Sequence, residues 1–275
     1  MEEHVLWITK LVNAVLAKPA LALLAALGIQ PANPEYPIPN YLAMELLVFV
    51  FAIVFFLWLR GRLSVDKPGG TQQCMETLLY NPMGLGVADL LESNLGHDAL
   101  RYLPMIGSIG MFILLCNLVS LVPGLESPTA FVPVPLGCAI VVFLYYHWSG
   151  VRKHGPVKYG MHFMGPNVYL SPLMVVVETF SHLARLLSLT VRLWVNMMVS
   201  EMLYVIFLGL TLALMLFAGK LNVLGNLLAP LPLLAPVIFI ILHIFVAFVQ
   251  AFVFTILPVI YLSGAVGGGH EEHSH

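Results

Sequence analysis

Two apolar runs, Leu170 to Ala218 and Val223 to Leu262, constrain this chain more than any other feature. A helix needs about 20 mostly apolar residues to cross the hydrocarbon core of a bilayer. Each run is much longer than that. Each is therefore either one steeply tilted helix or two shorter ones. Gly209 and Thr211 are weak breakers in the first run. Pro230, Pro232 and Pro236 cluster at the start of the second, where they leave its centre intact. Three shorter runs come earlier in the chain. Leu42 to Leu59 is closed by Arg60 and Arg62, Leu103 to Val122 by Pro123, and Ala130 to Trp148 by the basic stretch Val151-Arg152-Lys153-His154.

The composition explains why these runs belong in lipid. Of 275 residues, 60% are hydrophobic and 9% are charged, whereas a soluble domain carries about 25% charged residues. So few charges cannot coat a water-facing surface of this size. That excludes an ordinary cytosolic enzyme, a disordered chain and a nucleic-acid-binding protein. Cys74, Cys116 and Cys138 form no CxxC pair and no even set, so no disulfide framework is expected.

The expected fold is an all-α polytopic membrane protein forming a single membrane domain over residues 1–275. It has about five membrane helices, at 42–59, 103–122, 130–148, 170–218 and 223–262. Residues 1–40 form an external N-terminal segment. Within it, Leu11 to Ile29 reads as an interfacial or short external helix, with a cleaved or a spanning segment as the alternatives, since it lacks the basic start of a signal peptide. Residues 63–100 are the most polar stretch. Leu78, Leu79, Val87, Leu90 and Leu91 among Asp89, Glu92 and Asp98 predict one short amphipathic surface helix there. Residues 264–275 read as a disordered tail.

Lysine and arginine set the orientation. Of the twelve, Arg60, Arg62, Lys67, Arg101, Arg152, Lys153 and Lys158 fall in the loops at 60–101 and 149–168, which five spans place on one side. Lys10, Lys18 and Lys220 fall on the other. The richer side is expected to be cytoplasmic, with the N-terminus outside and the C-terminus inside.

The remaining two, Arg185 and Arg192, lie inside the run 170–218 together with Glu178, His182 and Glu201. A charge at bilayer depth costs at least about 2.5–3.5 kcal/mol, and such residues mark proton or ion paths by default. At about 100° per residue, Ser181, Arg185, Ser188, Arg192 and Asn196 form one polar stripe, with Glu178 near its lower end. Glu201 follows Arg192 by nine residues, or about 900°, and faces the opposite way. His243 and Gln250 share a face of the last run, about 10.5 Å apart along the axis. A hairpin between the runs could bring Glu201 towards His243 as a titratable pair; a purely structural pair is the other reading. Arg185 either lines a path or snorkels to the headgroups. Ser181 and Ser188 either line it or serve as small packing residues. Glu45 reads as interfacial. Arg192 lies about 22 residues from one end of its run and 26 from the other, too deep to snorkel easily. A guanidinium is never deprotonated in practice, so it cannot carry protons. It can act as an electrostatic gate beside a carrier that must lose one.

At these residues the sequence resembles the a subunit of the F-type (rotary) ATP synthase, bacterial type. The match is Ser188-Leu-Thr-Val-Arg192-Leu-Trp-Val-Asn196-Met-Met-Val-Ser-Glu201, together with His243 followed at i+7 by Gln250. Ile260-Tyr261-Leu262 and Asn117-Leu-Val-Ser-Leu-Val-Pro123 also resemble the family, as do the positions of Glu178, Ser181 and Arg185. The resemblance covers about residues 40–265. It implies a non-catalytic stator subunit whose last two helices form a long tilted hairpin along a ring of c subunits. The implied partners are that ring, the peripheral-stalk b subunits, the remainder of the complex and the lipid bilayer of a bacterial inner membrane. Two offset half-channels would feed the ring carboxyls. Asn196, Glu201, His243 and Gln250 would belong to the outer one, Glu178, Ser181 and His182 to the cytoplasmic one, with Ser188 and Arg185 along the same stripe and Arg192 between them. No cofactor or metal is implied. The chain departs from the family at Trp194, Val195, Val199 and Ser200, where small residues are usual, and at Ser120, which is often acidic. Pro133 and Pro135 replace a more polar stretch.

Two other classes compete. A secondary transporter with a midplane polar site should show internal repeats and broken helices; none is visible in the sequence. An intramembrane enzyme built on His243 and Glu201 should show a nucleophile elbow or HExxH; neither occurs. No GxxxxGK[ST] loop is present, so ATP chemistry is expected on a partner. The polar tail with His270, His273 and His275 has no metal-binding frame.

Overall fold

The computed structural model of the chain describes residues 5–26, 28, 30–31, 33–65, 67–80, 86–122, 124–162, 171–218 and 234–267, and every regular element among them is helical. The nine α-helices among the described residues are α1 (Trp7–Ala26), α2 (Asn40–Arg60), α3 (Gly70–Leu79), α4 (Val87–Leu95), α5 (Ala99–Leu118), α6 (Pro133–His154), α7 (Pro156–His162), α8 (Ser171–Ala218) and α9 (Leu234–Gly267). Short 3₁₀ turns cover Gly96–Asp98, Val119–Leu121 and Pro128–Ala130. Six of the helices, α1, α2, α5, α6, α8 and α9, are long and apolar enough to cross a membrane. The chain is an all-α polytopic membrane protein.

The sixth candidate span is α1. The sequence reads Leu11 to Ile29 as an interfacial or external helix with a spanning segment among the alternatives; the helix starts at Trp7 and continues through Lys18 and Pro19. It is fastened to the start of α2 by polar contacts. Thr9 Oγ1 donates to Asn40 Oδ1 at 2.8 Å, Asn13 Nδ2 donates to the Ile38 carbonyl at 3.0 Å, and the Ile38 amide donates to Asn13 Oδ1 at 3.0 Å. Leu6, Ile8 and Met44 form the apolar cluster beneath, with Val12, Leu47, Val119 and Leu125 against it.

The stretch expected to hold one surface helix holds two, α3 and α4. Gly86 begins α4, and Gly96 closes it at φ +59°, a left-handed position glycine takes without steric cost. The third span also shifts. Expected over 130–148, α6 starts at Pro133, where proline suits the first turn, and runs on to a basic last turn of Arg152, Lys153 and His154, stopped by Gly155 at φ +82°. Cations there complement the helix dipole.

The two long runs resolve differently at their ends. α8 is one unbroken helix of 48 residues, so Gly209 and Thr211 do not divide it; at 1.5 Å per residue it is about 70 Å long. α9 starts at Leu234, with Pro236 in its first turn, where the missing amide is not needed. Residues 223–233 of the expected run lie outside the described residues. α9 also continues to Gly267, into the stretch expected to be tail. The reason is packing: Val266 is buried, and its carbonyl lies 3.1 Å from His154 Nε2. Residues 268–275, which carry the tail histidines, lie outside the described residues.

The chain divides into two compact units. The first comprises residues 1–55, 114–134 and 195–248; the second comprises 56–113, 135–194 and 249–275. Both long helices contribute to each, α8 passing over at Trp194 and α9 at Phe248. In the second unit, Tyr102, Ile106, Ile113, Val142, Tyr146, Leu193, Phe254 and Leu262 are buried. There Gly110 of α5 lies against Thr255 of α9, whose hydroxyl donates to the Ala251 carbonyl at 2.8 Å.

A side chain at Gly110 would collide with Thr255, which is itself buried, whereas Gly107 faces open space. Overpacking of this kind costs about 1–3 kcal/mol. Gly110→Ala is expected to lower the thermal unfolding midpoint of the detergent-solubilised protein, and Gly107→Ala to leave it nearly unchanged. Equal midpoints for the two variants would contradict this packing.

Candidate functional site

In the first unit, α8 supplies Asn196, Ser200 and Glu201, and α9 supplies His243. The imidazole is 5% exposed and held on both sides. Ser200 Oγ lies 2.6 Å from Nδ1, while Ser120 Oγ lies 3.0 Å and the Asn117 carbonyl 3.2 Å from Nε2. Ser120 and Ser200 are two of the positions where the sequence departs from the family pattern. Read along the chain they are unremarkable hydroxyls; only the folded geometry puts both on one histidine.

Glu201 does not pair with His243 directly. Among the described residues no ion pair joins them. The two side chains line one small pocket, of about 20 Å³, with Ser120, Leu121, Tyr204 and Ile240. The carboxylate instead accepts the Ser127 amide at 2.7 Å. That amide is presented by a tightly bonded turn. Ser127 Oγ donates to the Cys116 carbonyl at 2.9 Å and lies 2.6 Å from Thr129 Oγ1, which donates to Asn117 Oδ1 at 2.6 Å. Ser127, Thr129 and Asn117 are completely buried. Buried polar groups need partners, and here they find them in one another. Asn117 was legible as part of a family-like stretch; the roles of Ser127, Thr129 and Tyr204 were not, because short hydroxyl and aromatic residues in a loop or apolar run carry no periodic signal.

In the second unit, Glu178, His182 and Arg185 lie on consecutive turns of α8. His182 Nε2 is 3.3 Å and Arg185 Nη2 is 3.9 Å from Glu178 Oε1. Tyr146 of α6 reaches His182 Nδ1 at 2.8 Å. A carboxylate can only accept, so the imidazole presents Nε2–H to Glu178, and the Tyr146 hydroxyl donates to Nδ1. His147 packs its ring 4.8 Å from His182, and the Arg185 guanidinium lies 5.4 Å from the Tyr261 ring centre. Cation–aromatic stacking and the carboxylate together hold Arg185 in place. His147 belongs to the same cluster, against His182 and Tyr159.

Arg192 stands apart from that cluster. Its side chain is exposed on α8, and among the described residues it makes no hydrogen bond or ion pair. Along this stretch of α8, Leu187, Ser188, Val191 and Val199 are exposed, while Leu189, Thr190 and Leu193 are buried. Of the predicted stripe, Ser188 and Arg192 are therefore exposed, while Ser181, Arg185 and Asn196 are partly covered. Gln250, on α9, is buried at 6% exposure. Among the described residues no group of three potential metal ligands comes together.

Comparison with known proteins converges on one family. A family profile described as "ATP synthase A chain" matches residues 42–263, a range that holds every residue discussed above from Asn117 onward. The chain is 40% identical to the ATP synthase subunit a of Koribacter versatilis (strain Ellin345) over 98% of its length and 99% of that protein's. It is 40% identical to the ATP synthase subunit a of Solibacter usitatus (strain Ellin6076), covering 90% and 95% of the two chains. With the ATP synthase subunit a of Aquifex aeolicus (strain VF5) the identity is 36%, over 85% and 99%.

The network around Ser127 leads to a local prediction. Asn117→Leu removes the acceptor of the buried Thr129 hydroxyl, a loss of about 1–3 kcal/mol. The turn should loosen, and hydrogen–deuterium exchange at the Ser127 amide should accelerate while that of α6 stays unchanged. An unaltered Ser127 amide would mean that Asn117 does not organise the turn.

Proposed function

The chain belongs to the ATP synthase A chain family, and from that membership we propose that it is the proton-channel stator subunit of the membrane sector of an F-type ATP synthase. In this reading it is non-catalytic. It passes protons to and from carboxyl groups on a ring of c subunits and is held by the peripheral-stalk b subunits. It sits in a bacterial plasma membrane with the 60–101 and 149–168 loops and its C-terminus in the cytoplasm, the orientation favoured by the distribution of Lys and Arg, and with its N-terminus outside, α1 lying on the outer side rather than crossing. The transporter alternative gains no support from the family membership.

One observation carries the reading: a permanent cation, Arg192, exposed on the polar stripe of an otherwise apolar helix with no counter-ion among the described residues. Such a face is not built for lipid alone, because an uncompensated charge at that depth costs several kcal/mol. A partner with its own carboxyl group satisfies it. Away from the arginine, a ring carboxyl stays protonated because desolvation disfavours its charged form. Beside the arginine the carboxylate is favoured and the proton leaves. The fixed charge also repels a proton moving straight along the stator. A proton crossing the membrane releases about 2.3 kcal/mol per 100 mV, and separated access on the two sides turns that release into rotation.

The remaining polar residues fall on either side of Arg192 along α8. Glu178, Ser181, His182, Ser188 and Arg185 precede it and are assigned to the cytoplasmic half-channel. Asn196 and Glu201 follow it and, with His243 and Gln250 of α9, are assigned to the outer one. The Tyr146–His182–Glu178 chain of contacts and the pocket shared by Glu201 and His243 support that division, since each gathers titratable groups on one side of Arg192.

In inverted membrane vesicles containing the whole complex, Arg192→Ala is expected to abolish ATP-driven proton pumping while the amount of assembled complex stays normal. Pumping at the unsubstituted level would refute the gate. Glu201→Gln and His243→Ala should reduce pumping only partly, read as the initial rate of acidification of the vesicle interior. Unchanged rates in both would reduce that pair to a structural role.

A further inference from the structure

The two ring nitrogens of His243 meet different chemistry. Nε2 faces a backbone carbonyl, that of Asn117, at 3.2 Å. A carbonyl only accepts hydrogen bonds, so Nε2 must carry a hydrogen in every protonation state that keeps this contact. The Ser120 hydroxyl, 3.0 Å from the same nitrogen, fits this: it donates to the Asn117 carbonyl at 3.2 Å and accepts from Nε2–H with its lone pair. The exchangeable position is therefore Nδ1, and its partner is the Ser200 hydroxyl at 2.6 Å. A hydroxyl suits that place because it can do two things. It donates to Nδ1 when the ring is neutral, and after a rotation about Cβ–Oγ it accepts from Nδ1–H when the ring is protonated. The ring has little room to turn over instead, being 5% exposed and held at both nitrogens.

We propose that Ser200 is a proton-path residue of this chain: a proton reaching or leaving His243 does so at Nδ1 through the Ser200 hydroxyl, while Ser120 and the Asn117 carbonyl position the ring by holding Nε2–H. On uptake the Ser200 hydroxyl proton passes to Nδ1 as the same oxygen takes a proton from an adjacent water, and on release both transfers reverse, so the ring returns to its starting tautomer without turning and His243 serves as a protonatable station beside the path. The proposal rests on the proton-channel reading above and adds a residue to it that belongs to none of the family-matched polar positions. It also gives Ser120 a different task from that of a carboxylate at the same place, since a serine orients the imidazole without adding a second negative charge to a pocket that holds Glu201.

The test uses vesicles with the whole assembled complex. Ser200→Ala is expected to lower ATP-driven pumping to the level of His243→Ala, the group it serves, and Ser200→Thr, which keeps the hydroxyl, is expected to restore most of that loss. Equal rates for Ser200→Ala and the unsubstituted chain overturn the proposal if His243→Ala is impaired. If His243→Ala is also unimpaired, the outer-channel reading falls with it. Equal impairment of the Ala and Thr variants also overturns it, pointing to packing alone. A measurement without substitution at Ser200 covers the case in which that variant fails to assemble. Nitrogen-15 magnetic resonance of histidine-labelled complex, with the His243 signals assigned by their loss in His243→Asn, should give a protonated Nε2 and an unprotonated, hydrogen-bond-accepting Nδ1 in the neutral ring. A neutral ring protonated at Nδ1 would overturn the assignment.

Discussion

A guanidinium that cannot lose its proton, exposed on an otherwise apolar helix without a counter-ion among the described residues, governs everything else in this molecule. It must be tolerated during insertion, which asks for a long helix with polar groups spaced along it. It must be left unneutralised by the chain itself. The neighbouring carboxylate, Glu178, is taken up by His182 and by Arg185, and Glu201 by the Ser127 amide. The acids along α8 are thus occupied, and Arg192 keeps its charge for a partner. That distribution gives a physical basis for treating the exposed face of α8 as the side turned to a rotor.

The polar groups away from that face follow a different rule. They are buried, and each is satisfied by a specific neighbour; among the described residues no buried side-chain nitrogen or oxygen lacks a hydrogen-bond partner. In a low-dielectric interior such networks are rigid and costly to break. The turn at Ser127–Thr129 holds one carboxylate oxygen of Glu201, and the Asn117 carbonyl fixes one nitrogen of His243. The groups assigned to proton transfer thus each keep a second atom facing the pocket or a reversible hydroxyl. Rigidity on one side and exchange on the other is what a directed path needs.

Much of this was legible in the residue order. Run lengths gave the membrane helices, because hydrophobic length is set by bilayer thickness. The i+3 and i+4 spacing of Ser181, Arg185, Ser188, Arg192 and Asn196 gave the polar stripe, and the angle to Glu201 its opposite orientation. What the sequence could not give depends on contacts between distant segments. The fastening of α1 to the start of α2 depends on Asn13 and Thr9 meeting Ile38 and Asn40. The expected Glu201–His243 pair became a shared pocket because a loop amide claimed the carboxylate first. Ser120, Ser200, Tyr146 and His147 carried no periodic signal, and their importance arises only where two helices or a helix and a turn meet.

The most direct measurement is a high-resolution map of the assembled membrane sector containing this chain and its rotor. The account predicts that the Arg192 guanidinium faces a carboxyl group of a c subunit, with no lipid between the two and with separate water-filled approaches on either side. A map in which Arg192 points into lipid or bulk water, remote from every rotor carboxyl, would contradict it.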